Sequence, residues 1–271
     1  MDLSQLLRIV EVICSSDRAI ARKIYSTVYR HVLEDKNIRH YLPGVHYSRE
    51  DAVVTSRLLS ICLSAVGDAF GRLISGGNPK LHDFQFLNVY PGEHYRLLSS
   101  LSKVINAKSV VEIGTFTGLS AHSFVEGNPK IQVTSFDVTP WNKAADGTHL
   151  TPEVLLNGSF RQIVVDLAQP GEFDQHKTIF DSYDIIFMDG PKDGSFEYKL
   201  GKLLCSLGRS DFRLLILDDI NLIEMVDFWR SIVSPKIDLT SFGHWSGTGV
   251  VDVSDGLLLS LPLESGSLAE V

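Results

Sequence analysis

The sequence predicts a doubly wound α/β fold. A mostly parallel, seven-stranded sheet with an antiparallel last strand is preceded by a helical segment. Three observations carry this expectation. From about residue 92 onward, apolar runs alternate with helical patterns. The runs up to Asp219 are nearly unbroken, as strands covered on both faces require. The last two runs are joined across "SGTG" with no helix between them, which makes them an antiparallel pair.

The elements follow in order. "LSQLLRIVEVI", "DRAIARKIYSTVYRHVLED" and "SREDAVVTSRLLSICLSAVGDAFGRLI" place apolar residues at helical spacing. Asp17 and Ser48 are candidate N-caps, and "LPG" and "SGGNP" interrupt the helices. Residues 1–90 are therefore read as a helical region, either a lid or a dimer interface, because amphipathic helices must bury their apolar faces. The α/β domain is expected over 91–263, followed by a disordered tail at 264–271. Within the domain, "GEHYRLLSSLSKVINA" is a helix and "SVVEIG" a strand. "LSAHSFVEG" is a short helix, and "IQVTSFDV", "RQIVVDL" and "YDIIFMDG" are strands. "SFEYKLGKLLCSLG" is a helix, "FRLLILDDI" a strand and "LIEMVDFWRSIV" a helix. "DLTSFGHW" and "GVVDVSDGLLLSLPL" end the sheet.

Bulk properties narrow the function classes. The 271 residues carry 33 acids against 25 bases, a net charge of −8, which argues against a broad nucleic-acid surface. Cys14, Cys62 and Cys205 form no CxxC pair and offer no zinc spacing, so they read as core thiols of a reducing compartment. The first residues carry acids and Arg8 within their apolar stretch, unlike a signal peptide. No window reaches the roughly 18 apolar residues of a membrane span. A cytoplasmic protein acting on a small molecule is expected.

Glu112, Asp137, Asp166, Asp189 and the pair Asp218–Asp219 fall at or near the carboxyl ends of predicted strands. Ligands of open α/β sheets bind outside those ends. Any one of these acids could equally cap a helix. Collecting so many on one edge costs electrostatic energy unless cations or donors sit among them. In the loop Gly114-Thr115-Phe116-Thr117-Gly118, the two glycines allow close backbone approach, and the next helix aims its free N–H groups at the same space. Asp137 is placed to accept from a ribose diol. A nucleoside-containing ligand is expected, either a dinucleotide or S-adenosylmethionine. Phe116 stands where the dinucleotide fingerprint needs its second glycine. A methionine tail fits better, with Glu112 supplying a field for its ammonium.

"VVEIGTFTGLSA" resembles the glycine loop of class I S-adenosylmethionine-dependent methyltransferases, in particular the catechol and caffeoyl-CoA O-methyltransferase group. The likeness spans about residues 90–262 and implies their Rossmann-like fold. "FMDGPKDG" has the Asp-x-x-Lys spacing of that group. The resemblance implies that Asp189 is a metal ligand and Lys192 the general base. "LLILDDIN" matches the next metal motif, so Asp218 and Asp219 complete the ligand set, with Asp219 standing where the group has Asn. The aromatic that follows the lysine is displaced to Phe196 and Tyr198, and the helical start is longer than that group's leader.

Such a site suits in-line methyl transfer. The acceptor oxygen must be aligned and deprotonated. A Mg²⁺, Mn²⁺ or Ca²⁺ on oxygen ligands would lower its pKa, and Lys192 would take the proton. Asp166 falls where an adenine contact occurs in class I enzymes. Trp141 is a candidate adenine cover. His149, His244 and Trp245 are candidate substrate-pocket residues, although "GHWSGTG" is also an ordinary hairpin. His94 reads as a packing or capping residue and His122 as a packing residue. The expected reaction is O-methylation of a small hydroxylated acceptor of natural-product, phenolic or sugar type by a homodimer. Two alternatives stay open: metal-independent transfer to nitrogen, carbon or oxygen, and a nucleotide-binding oxidoreductase or regulatory domain.

Overall fold

The computed structural model describes residues 54–143, 147–156 and 158–260. The helices expected before residue 54, with the caps Asp17 and Ser48, and the tail after residue 260 lie outside the described residues.

The chain runs through α1 (Ser56–Gly71), α2 (Tyr95–Val104), β1 (Ser109–Ile113), α3 (Leu119–Gly127) and β2 (Gln132–Asp137). It continues through α4 (Pro152–Leu156), β3 (Phe160–Val164), α5 (Glu172–Asp181), β4 (Ile185–Met188) and α6 (Ser195–Leu204). The last elements are β5 (Leu214–Asp218), α7 (Ile223–Ser231), β6 (Lys236–Asp238) and β7 (Thr248–Asp252). Seven strands form one sheet in the order β3-β2-β1-β4-β5-β7-β6. Strands β1 to β5 are mutually parallel, and β7 runs antiparallel to both β5 and β6. The doubly wound mixed sheet is therefore present as its sequence pattern implies.

Alternation along each strand sorts the side chains into two cores. Val110, Val133, Ile185, Phe187, Leu214, Ile216 and Val250 face Leu58 and Cys62 of α1, Leu97 and Leu101 of α2, and Phe124 of α3. Val111, Phe136, Ile186, Met188, Leu215, Leu217 and Val251 face Phe173 and Phe180 of α5, Leu200 of α6 and Phe228 of α7. Residues 56–71, expected in the helical region, pack as α1 onto α2.

Three readings need correction. Helix α5 lies in "GEFDQHKTIFD", a stretch whose overall polarity hides a helical pattern. Its apolar signal is Phe173 and Phe180, seven residues apart: Phe180 stacks on Phe136, and Phe173 packs on Phe180. The sixth strand lies earlier than "DLTSFGHW". It ends at Asp238, whose carboxylate accepts from Thr240 N at 2.8 Å and turns the chain into a 3₁₀ turn over Thr240–Phe242. The last strand stops at Asp252, which bonds Ser254 N at 3.0 Å, so "SDGLLLS" does not extend it. Among the described residues, no helix is long and apolar enough to cross a membrane.

Candidate active site

The two-residue period that builds the cores also aims the acids. Val110, Phe187 and Ile216 point to the α1–α2–α3 face, so Glu112, Asp189 and Asp218 turn the same way at the carboxyl edge. There they divide into two halves.

The first half surrounds the glycine loop. Gly114 has φ 95°, and a Cβ there would lie 2.0 Å from the Asp189 carbonyl oxygen. Gly118 has φ 80°, and a Cβ there would lie 2.6 Å from Leu150. This corrects the sequence reading: the space the glycines leave is taken by the chain itself, so they set the approach of loop to strand. Asp137 Oδ2 accepts from Thr115 N at 2.7 Å and Phe116 N at 3.3 Å, and Oδ1 from Thr139 N at 2.9 Å. A carboxylate has about four acceptor positions, so capacity for a ribose hydroxyl remains. Glu112 is fully buried rather than open to a ligand. Ser120 Oγ donates to its Oε1 and Ser135 Oγ to its Oε2 at 2.5 Å. Burial, opposed by those two hydroxyls, raises its pKa to about 8. Without a cation beside it, Glu112 is largely protonated near neutral pH. The network continues from Ser135 to Thr115 Oγ1 at 2.7 Å and from there to Gln162 Nε2 at 2.8 Å. Gln162 Oε1 in turn accepts from Trp141 N at 2.9 Å. Phe116 is 61% exposed at φ 44°. Asp166 accepts from Ala168 N and Gln169 Nε2, which makes it a turn-former beyond β3.

The second half lies at the ends of β4 and β5. Asp189 Oδ1 is 2.7 Å and Asp218 Oδ2 2.9 Å from Lys192 Nζ, and Asp219 Oδ2 also touches it. Lys192 and Asp219 have φ of 61° and 60°, conformations that non-glycine residues keep only when surroundings enforce them. Glu197, buried on α6, supplies that constraint: it accepts from Lys192 N and Gly194 N, both at 2.9 Å. Burial lowers the Lys192 pKa, but Asp189 and Asp218 more than reverse this and hold the ammonium above the usual lysine range. Burial pushes Asp218 up, and His94, His244 and Lys192 together hold it well below the ordinary carboxylate range. Burial and Asp218 raise Asp189, against the pull of Lys192.

His244 joins this half. Its Nδ1 lies 3.2 Å from Asp218 Oδ1 and 3.1 Å from Asp219 Oδ1, and its Nε2 lies 3.5 Å from Glu93 Oε2. Burial disfavours its charge, yet the carboxylates raise its pKa to about 10. Ser246 bridges His244 and Asp219. Trp245 stays 57% exposed while its backbone N bonds Gly92 O at 3.1 Å. That bond, with Gly92 N to Gly243 O, draws "PGEHY" into the site. Glu93, His94 and Tyr95 were not expected there. His94 sits at the N-cap of α2 without capping it and lies against Phe187. The usable signal was Glu-His-Tyr directly after a proline-glycine break, at the start of the helix that covers β4. His149 is enclosed rather than lining a pocket. Its Nε2 faces Asp83 at 2.8 Å and its Nδ1 accepts from Asn78 N at 3.1 Å.

A glycine loop opening onto a helix, a β2 acid and an Asp-Lys-Asp-Asp cluster define a class I S-adenosylmethionine-dependent methyltransferase. A family model described as O-methyltransferase matches residues 82–219, just over half of the sequence, and the chain belongs to that family. Solved structures resemble it at low identity. Cofactor-bound Rv0187 from MTB is 15% identical with a TM-score of 0.42, covering 82% of this chain and 97% of that one. SAH-bound PaMTH1, a methyltransferase of Podospora anserina, is 13% identical with a TM-score of 0.41, covering 80% and 95%. A methyltransferase from Geobacter sulfurreducens is 17% identical with a TM-score of 0.41, covering 84% and 99%. No curated protein matches the chain.

Proposed function

We propose that this protein methylates a hydroxyl of a small acceptor with S-adenosylmethionine, assisted by a divalent cation. One observation carries the cation: Asp189, Asp218 and Asp219 each bring a carboxylate oxygen to one point, where Lys192 Nζ now lies. Three hard oxygens fit Mg²⁺, Mn²⁺ or Ca²⁺. When bound, such an ion supplies Lewis acidity that lowers the pKa of an acceptor hydroxyl.

The residues themselves account for the rest. The loop amides and Asp137 support binding of the nucleoside, and Gly114 fixes the loop against Asp189, so donor and acceptor halves are held in one register. Lys192 as it stands is an ammonium. It can accept a proton only when the carboxylate charge beside it is countered otherwise, which is what a cation at that point would do. Glu197 keeps the lysine backbone at the mouth of the site throughout. The acceptor is a small hydroxylated molecule of natural-product, phenolic or sugar type.

Chelation tests this reading. S-adenosylhomocysteine release is followed across polyhydroxylated phenols and sugars, before and after EDTA, then with Mg²⁺ restored. The expected outcome is loss with EDTA and recovery with Mg²⁺. Turnover that persists through complete chelation would assign the transfer to the acids and Lys192 alone.

A further inference from the structure

We propose that His94, His244 and Asp218 form a second cation site, of mixed nitrogen and oxygen donors, suited to a borderline transition ion rather than Mg²⁺. Asp218 has two faces. Its Oδ2 serves the carboxylate point at Lys192, while its Oδ1 lies 3.2 Å from both His94 Nδ1 and His244 Nδ1. One donor atom from each of the three residues lies within 4.8 Å of the other two. The imidazole rings stand 5.4 Å apart and nearly perpendicular, at 87°, so they approach a shared point without stacking.

An independent observation points to a ligand. His94 is only 2% exposed, yet neither ring nitrogen has a hydrogen-bond partner. Its Nδ1 reaches ion-pair distance of Asp218 without hydrogen-bond geometry. Leaving a buried polar atom unsatisfied costs about 1–3 kcal/mol, so such groups call for an explanation. A coordinated ion supplies one for His94 Nδ1, the nitrogen that faces Asp218. His244 turns its Nδ1 to the site, where it now meets Asp218, Asp219 and Ser246 and gives up its proton to ligate; its Nε2 lies 3.5 Å from the buried Glu93 carboxylate, on the side where ligating imidazoles usually have an orienting partner. Imidazole donors favour Zn²⁺, Co²⁺, Fe²⁺ or Ni²⁺, whereas the carboxylate point favours hard cations. The two points share Asp218, and His244 Nδ1 also lies 3.1 Å from Asp219 Oδ1, whereas Asp189 and Lys192 belong to the carboxylate point and His94 to the mixed one.

The test uses the chelator-treated full chain loaded with Co²⁺ and observed by proton NMR. Two paramagnetically shifted, solvent-exchangeable imidazole N–H resonances are expected. His94→Phe, which keeps an aromatic ring against Phe187, removes one, and His244→Gln removes the other. Each substitution weakens Co²⁺ binding at least about tenfold by calorimetry. Asp189→Asn, which disables the carboxylate point, leaves both resonances in place. The proposal is overturned if no Co²⁺ binds, if Co²⁺ binds with no shifted exchangeable resonance, or if both resonances survive in the histidine variants. The wild-type spectrum decides alone should a variant fail to fold. Loss of the Mg²⁺ dependence of turnover would strike the carboxylate reading and leave these resonances untouched.

Discussion

The two halves of the carboxyl edge solve the same problem in opposite ways. Around the glycine loop, each acid is answered by neutral donors of its own neighbourhood: Glu112 by two serines, Asp137 by three backbone amides. At the ends of β4 and β5, the acids are answered by cations, Lys192 and His244, and the buried His94 lies at ion-pair distance from Asp218 without a hydrogen bond. Neutral hydrogen bonding holds the cradle rigidly without bringing in a counter-charge. Carboxylates balanced by cations yield a site whose charge can be exchanged, because one cation can replace another. A methyltransferase needs both: a fixed donor and an acceptor site whose protonation changes.

The comparison can be broken most severely at the residue that joins the halves. Gly114→Ala places a Cβ against the Asp189 carbonyl at a positive φ. A loss of at least about 3 kcal/mol in denaturant unfolding is expected, at the upper end of single-site effects. Loss of S-adenosylhomocysteine binding by calorimetry should accompany it. An unchanged midpoint would show that the loop is not held this way.

Lys192→Met removes the ammonium and leaves three converging carboxylates. Without metal, destabilisation of about 3 kcal/mol is expected, as for a broken buried pair. Mg²⁺ should then raise the melting temperature of the variant more than that of the wild type. Equal responses would disconnect the lysine from the cation point.

Glu112→Gln tests the neutral half through pH. The Glu112 pKa rises on folding from 4.5 to about 8, so across that interval the folded state holds a proton that the unfolded state has lost. Stability therefore falls as pH rises through this window and levels off above about 8. The glutamine variant should lack this slope, so that denaturant midpoints of the two proteins diverge upward in pH, with the variant the more stable. Parallel curves would place an ordinary carboxylate at Glu112.

The smallest effect is expected at Phe116. Its side chain is exposed and its φ of 44° suits glycine. Phe116→Gly should change stability by no more than about 1 kcal/mol, in the stabilising direction. Any accompanying loss of S-adenosylhomocysteine affinity then reports a contact of the ring with the cofactor.

Much of this was legible in the residues. Unbroken apolar runs marked five parallel strands, and the acids at their ends marked the functional edge. Helix α5 escaped notice because its buried surface rests on two phenylalanines among eight other residues, five of them charged or amide-bearing. Glu93 and His94 escaped for a different reason. They precede the first strand by some fifteen residues, and the Gly92–His244 bridge and the His94–Phe187 contact bring them to Asp218.

The sequence by itself determined the sheet, its parity and hence which face the acids share, because alternation along a strand is a local property of the chain. It also determined the Asp-x-x-Lys and Asp-Asp spacing. Only the tertiary structure decided what each acid meets. It set hydroxyls on Glu112, loop amides on Asp137, an ammonium among three aspartates, and two imidazoles against Asp218. Those partners come from distant segments, and a carboxylate's charge and pKa follow from its neighbours in space.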